Sequence, residues 1–278
     1  MKTNRLLSML LLAGMIAAPM SAKTAKQDYS FLNGKTGAVT FIRLSEENFK
    51  DIINGRLGSK IEKLIYNDSL MGNLSMLKSG RVDFVMTPNI SADYIAQRNP
   101  DLKSVIFPVD NNLVMMLRDS DVKLRDSFDA AIGKLKASGK LAELYKKWIT
   151  DLPAGQEPAA ATIEKTSYPE TIYVGVSGDL PPLDYVAADG KPAGYNIALL
   201  AEISKVIEKN IEILSLDSRA RITALHSKKI DVFFWTVRPN SKLQENFNNK
   251  TAGAERMSKK FIITKPYCAV KSAVLLKK

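Results

Sequence analysis

The sequence predicts an α/β fold in two lobes, each a mixed, mainly parallel sheet flanked by helices. One module occurs twice. Leu77-Lys78-Ser79-Gly80-Arg81-Val82-Asp83 ends a helix, turns, and enters the apolar run Phe84-Val85-Met86 before the polar loop Thr87-Pro88-Asn89. Leu225 to Asp231, then Val232 to Trp235, then Thr236-Val237-Arg238-Pro239-Asn240 repeat that order. Continuous apolar runs of this length suit strands covered on both faces, as in parallel sheets. Strand-like and helix-like segments also alternate through both halves, the pattern of α/β lobes. With 278 residues, 45% hydrophobic and 25% charged, the chain is long and apolar enough for two ordinary cores.

In the first half, Ala38–Ile42 reads as a strand, and Ser45 opens a helix carrying Phe49, Ile52 and Ile53. Ile61–Tyr66 is a strand. Ser69–Ser79 is a helix with Leu70, Leu74 and Leu77 on one side. Ile90–Arg98 is a helix, followed by two strands, Ser104–Phe107 and Leu113–Arg118. Lys123–Ala137 spaces Leu124, Phe128, Ala131, Ile132 and Leu135 as a helix does. Ser138-Gly139 breaks it, and Leu141–Ile149 continues with Leu144, Tyr145 and Trp148. Residues 151–169, with Pro153, Gly155, Pro158 and Pro169, form an irregular connector. In the second half, Ile172–Val176 and Ile211–Leu216 are strands. Gly194–Lys209 is an amphipathic helix on Ile197, Leu200, Ile203 and Ile207, and Arg219–Ser227 is another.

The N-terminus reads as a secretory signal peptide over residues 1–22. Lys2 and Arg5 precede an apolar stretch, Leu6 to Ala18, too short to cross a bilayer of ~30 Å as a helix. Pro19-Met20-Ser21-Ala22 offers small residues for cleavage, and no cysteine follows for a lipid anchor. The protein is expected to be periplasmic. Without that segment the net charge falls from +11 to +9 by loss of Lys2 and Arg5. The remaining basic residues are scattered, their densest clusters being doublets such as Lys146-Lys147, so no nucleic-acid partner is expected. Cys268 is the sole cysteine, which excludes an internal disulfide. Its apolar neighbours point to a buried, inert thiol. His226 is the sole histidine, so multi-histidine metal sites are excluded, and neither a metal nor another cofactor is expected.

The set of motifs resembles the type II periplasmic substrate-binding proteins, specifically the family 3, polar amino-acid group of ABC importers. The family's opening strand and Pro-Pro loop look like Val174 to Tyr185, and its Gly-Lys-x-x-Gly-aromatic turn like Gly190 to Asn196. The strand motif ending in Asp resembles Ser227 to Asp231, and the Phe-Ser-x-Pro-Tyr element resembles Phe261 to Tyr267. The second-lobe pattern is similar to residues 69–98, and the closing helices to Lys123 through Trp148. The order is unusual: second lobe, closing helices, first lobe. This implies a circularly permuted version of the family's two-lobe fold. The expected division is a second-lobe-like domain at 30–110, a closing strand and helices at 111–150, the linker at 151–169 and a first-lobe-like domain at 170–278. An incomplete tandem array or a domain-swapped dimer is the alternative to one shared cleft.

The resemblance implies a protein that binds a small polar solute, such as an amino acid or related carboxylate, and docks as a monomer on the permease of an ABC importer. Ligands of open α/β sheets sit beyond the carboxyl ends of the strands, which brings Thr87 and Thr236 towards one cleft. Thr236 matches a family hydroxyl contact to the ligand carboxylate. Arg238 is either a carboxylate clamp or a surface ion-pair partner. Asp179 either meets a ligand ammonium or caps a following segment. Tyr185, like Tyr195, either stacks on a ligand or packs in the lobe. Arg43 and Ser45 lie where the second lobe would offer a helix N-terminus, although Ser45 also suits an ordinary N-cap. Two family positions depart from the pattern: the carboxylate-binding Arg falls on Ser241, and the amino-group-binding Asp on Pro88. No catalytic residue is expected. The alternatives are an enzyme on the same fold resembling cyclohexadienyl dehydratase, with Asp179 and Asp184 as its available acids, or an accessory binding module.

Overall fold

The protein is described here by a computed structural model covering residues 28–40, 46–153, 156, 161–239 and 260–278. The predicted signal peptide and residues Arg43, Ser45 and Ser241 lie outside the described residues.

The strands are β1 (Thr36–Thr40), β2 (Lys63–Asn67), β3 (Phe84–Pro88), β4 (Leu102–Arg118), β5 (Thr171–Val176), β6 (Asp179–Leu180), β7 (Asp184–Val186), β8 (Pro192–Ala193), β9 (Asn210–Ser215), β10 (Val232–Pro239), β11 (Phe261–Ile263) and β12 (Cys268–Lys277). The helices are α1 (Glu46–Leu57), α2 (Leu70–Lys78), α3 (Asn89–Arg98), α4 (Val122–Ala137), α5 (Lys140–Tyr145), α6 (Tyr195–Ile207) and α7 (Ser218–His226). A wider turn of helix, Lys146–Thr150, extends α5 and buries Trp148. Three short strands, β6, β7 and β8, make a separate small sheet.

The main sheet runs β2-β1-β3-β12-β4-β10-β5-β9, with β11 also on β4. It divides into two lobes of like design. In the first, β1 pairs in parallel with β2 and β3, and β12 and the start of β4 follow antiparallel. In the second, β5 pairs in parallel with β9 and β10, and the end of β4 and β11 follow antiparallel. Each lobe therefore receives its fourth strand from a chain segment arriving from the other. The strands β4 and β12 are the two crossings.

Ser104–Phe107 and Leu113–Arg118, expected as separate strands, are one strand of 17 residues. Pro108 lies between the two expected segments. It falls where the pairing jumps from Lys271 opposite Asp110 to Ala273 opposite Ile106. A proline, which has no N–H to donate, is tolerated at such a bulge. The bulge lies between the lobes, where Asn111 Nδ2 donates to Ser272 Oγ at 2.9 Å.

The repeated module explains why both lobes start alike. Asp83 accepts the Thr36 N–H at 2.9 Å, and its own N–H donates to the Thr36 carbonyl. Asp231 does the same to Tyr173, accepting at 3.0 Å. Each aspartate thus fixes the first residues of its lobe's central strand. Val82 and Ile230, one residue earlier, are buried. The turn needs a left-handed residue: Gly80 has φ +77° and its counterpart Lys228 φ +60°. Only glycine meets that requirement without steric cost.

Helices α2 and α3 lie on one face of the first lobe, with Lys78 Nζ donating to Asn99 Oδ1 at 2.6 Å near their C-terminal ends. Their apolar residues, Leu70, Leu74, Ile90 and Ile95, join one continuous core with Trp148, Val174, Tyr195 and Leu199 of the second lobe. The other face of the first lobe packs on α1 through Ile53 and Leu57.

Candidate functional site

The strand ends that face the boundary between the lobes are those of β2 and β3 on one side and β5, β9 and β10 on the other. The β5 side is built by a buried hydrogen-bond network. Asp184, with no exposure to solvent, accepts from Ser177 Oγ at 2.5 Å, from the Gly178 N–H at 2.8 Å and from Asn196 Nδ2 at 2.8 Å. The N–H groups of Tyr195 and Asn196 donate to the Pro182 and Leu183 carbonyls at 3.0 and 2.7 Å. Gly194, at φ +113°, allows this: a Cβ there would come within 2.4 Å of the Leu183 carbonyl oxygen. These bonds tie the Pro-Pro loop and the Gly-Tyr-Asn turn together directly behind the loop carrying Asp179.

Asp179 reaches across the boundary. Its Oδ2 accepts the backbone N–H of Leu70, the first residue of α2, at 2.6 Å. Ser69 caps the same helix by accepting from the Gly72 N–H at 2.9 Å. Free N–H groups and the helix dipole make such an end favourable for a carboxylate. Burial nevertheless pushes the Asp179 carboxyl above its ordinary pKa, and Asp184 nearby adds to this, against the opposing bond from Leu70. Alongside, Arg219 Nη1 of the second lobe pairs with Asp68 Oδ2 of the first at 2.6 Å. Arg221 is buried, with 2% exposure. It donates to the Phe234 carbonyl at 2.7 Å and to Ser218 Oγ at 3.2 Å, and its guanidinium carbon lies 4.4 Å from the Phe233 ring centroid. Burial lowers its pKa, while Asp184 and Asp179 favour the charge.

Of the residues named from sequence, Thr87 and Thr236 are half-buried near the ends of β3 and β10. Arg238 is exposed on β10 opposite Asn112. Tyr185 is buried in β7, paired with Asp179. Tyr195 is fully buried, its hydroxyl donating to the Tyr267 carbonyl at 3.4 Å. Asp179 does act at a helix end, but the helix comes from the opposite lobe rather than the next segment.

Sequence reasoning passed over a cavity of ≈ 220 Å³ between the lobes. Asn89, Asp93, Tyr94 and Gln97 of α3 line one wall, and Tyr145, Ile149 and Pro182 the other. Asn89 belongs to the polar loop of the first repeated module, the one signal pointing there; its Oδ1 accepts the Lys271 N–H at 2.7 Å beside the crossing strands. Among the several buried side-chain atoms of the described residues that lack a hydrogen-bond partner are one on each lobe near this boundary: Trp235 Nε1 beside Thr236, and Asp68 Oδ1 just after β2. His226 is exposed on α7, edge-on to Phe261. Cys268 is buried, and its thiol is pushed up to about 12 by that burial. Among the described residues no group of three or more His, Cys, Asp or Glu side chains is placed to hold a metal ion, and no helix is long and apolar enough to cross a membrane.

Residues 172–278 match the family described as bacterial extracellular solute-binding proteins, family 3. The chain is 27% identical over 129 residues to the arginine-binding extracellular protein ArtP of Bacillus subtilis (strain 168), covering 45% of this chain and 48% of that one. It thus spans about half the length of the curated relative it matches. Among solved structures, the ligand-binding component of an ABC-type import system from Staphylococcus aureus, with zinc bound, is 13% identical with a TM-score of 0.45, covering 88% of this chain and 66% of that one. The GluR0 ligand-binding core from Nostoc punctiforme, in complex with L-glutamate, is 14% identical with a TM-score of 0.39, covering 88% and 85%. The likeness to the bacterial extracellular solute-binding proteins, family 3, rests on residues 172–278, the part of the chain that carries β5 to β12.

Proposed function

We propose that this protein is an extracytoplasmic solute receptor that captures a small polar ligand, an amino acid or related carboxylate, between its lobes and presents it to the permease of an ABC importer. The observation that carries this reading is the strand exchange. The two lobes exchange the strands β4 and β12, and the bulge and the Asn111–Ser272 bond at that crossing mark the hinge about which they would open and close. The unpaired Trp235 Nε1 and Asp68 Oδ1 supply a donor and an acceptor, one per lobe, that a polar ligand would satisfy. Thr236 and Thr87, half-buried on β10 and β3, together with Arg238, Tyr185, Arg43 and Ser45, are the proposed ligand contacts. A net charge of +9 without residues 1–22, +11 less Lys2 and Arg5, favours approach of anionic solutes.

Chain order is read as a circular permutation of the family's. The family match covers the part of the chain that forms the second lobe here, and that lobe's fourth strand comes from upstream on β4. The relative's arginine specificity supports an amino-acid ligand. The family match over residues 172–278 and the N-terminal sequence pattern support a location outside the cytoplasm.

The test is a thermal-shift screen against amino acids, dicarboxylates and short peptides, followed by calorimetry. A ligand at 100 times its Kd raises stability by about 2.7 kcal/mol. Silence across all three classes in both assays would refute the receptor reading, as would measurable dehydration of prephenate.

A further inference from the structure

We infer that Asp179 is an intramolecular latch that keeps the lobes closed in the absence of ligand, by occupying the N-terminus of α2 with the protein's own carboxylate. Among the described residues, polar links that cross between the lobes away from the strand exchange include three sets. Asp179 Oδ2 accepts the Leu70 N–H at 2.6 Å. Arg219 meets Asp68, two residues before that helix, at 2.6 Å. Arg98 of α3 donates to the carbonyl of Gln156 at 2.9 Å and of Pro153 at 3.4 Å, in the connector that leaves the second lobe. The first is the one built into the fold: the loop carrying Asp179 is held from behind by Asp184, which is locked by Ser177, Gly178 and Asn196. A carboxylate at a capped helix end is the contact that a ligand carboxylate would otherwise make. Opening exposes both the helix end and the Asp179 carboxylate to water, so the latch is broken and remade as the hinge moves. An anionic ligand that enters this end must displace Asp179.

The test is pulsed electron spin resonance on ligand-free protein carrying spin labels at Lys63→Cys and Glu212→Cys, exposed positions on β2 and β9; Cys268 is buried and escapes labelling. The unmodified latch gives one narrow distance distribution. Asp179→Ala adds a second, longer population, the open-to-closed ratio rising by about tenfold or more, as expected for loss of a charge-assisted hydrogen bond. Asp179→Asn, which retains an acceptor, falls between the two. Arg219→Ala, at an exposed surface position, tests the same boundary without touching the loop's folding and shifts the distribution in the same direction. Identical distributions for the parent and both the Asp179→Ala and Arg219→Ala proteins overturn the latch, and so does a parent that is already mostly open.

Discussion

Removing the carboxylate from the two repeated modules is expected to cost unequally, although the two aspartates hold equivalent backbone positions. Asp231 accepts the Tyr173 N–H at 3.0 Å and Arg118 Nη2 at 2.8 Å, and the pair's side chains are only 25% and 13% exposed. A hydrogen bond to a charged group contributes about 1.5–3 kcal/mol and a backbone bond about 1 kcal/mol, so Asp231→Ala costs about 3 kcal/mol. The loss stays below that of a stranded buried charge because Arg118 keeps Asp121 at 2.6 Å and the carbonyls of Leu225 and Ile230. Asp83 keeps the equivalent backbone bond to Thr36, but its cation, Lys35, is 48% exposed and the aspartate itself 42%. Solvent screens that pair to little or nothing, leaving about 1 kcal/mol for Asp83→Ala. In a protein of this size each 1 kcal/mol moves the midpoint by about 2–4 °C, so calorimetry should show a drop of roughly 6–12 °C for Asp231→Ala and of about 2–4 °C for Asp83→Ala. The Thr36 N–H is the main cause holding the Asp83 carboxyl below its ordinary range, with Lys35 assisting. Its contribution is therefore present above the unfolded pKa of about 3.9 and lost as pH falls through the lower folded value. Equal losses for the two variants, or a larger one for Asp83→Ala, would refute the reasoning from partner burial.

Lys228→Gly relieves a left-handed backbone at φ +60° and is expected to raise the melting midpoint by about 2–4 °C, while Gly80→Lys lowers it by a similar amount. Gly194→Ala drives a methyl against the Leu183 and Pro182 carbonyl oxygens, at 2.4 and 2.7 Å, with φ +113°. It should lower the denaturation midpoint in urea by more than any other single glycine substitution in a turn open to solvent, such as Gly190→Ala. The Cys268 thiol, pushed up to about 12, should resist Ellman's reagent at pH 8 in the native protein and react fully after unfolding in guanidinium. Its linked stability is present below the unfolded thiol pKa of about 8.5 and is lost as pH rises towards 12, read as a falling midpoint in alkaline melts.

The alternation of strands and helices, the helix faces and the recurring Asp module were legible in the sequence because they arise from local periodicity and turn chemistry. Leu70, Leu74 and Leu77 mark the buried face of α2 wherever that helix packs. Tertiary structure decided how the halves combine. That Ser104–Arg118 is a single strand shared by both lobes, and that Cys268–Lys277 returns to the first, depends on which strands pair at a distance; no local pattern encodes that choice. The partner of Asp179 was likewise invisible, since Leu70 lies 109 residues away and offers a backbone N–H whose availability exists only once α2 has begun. Side-chain identity fixes what a residue can bind. The long-range register of β4 and β12 decides what it meets.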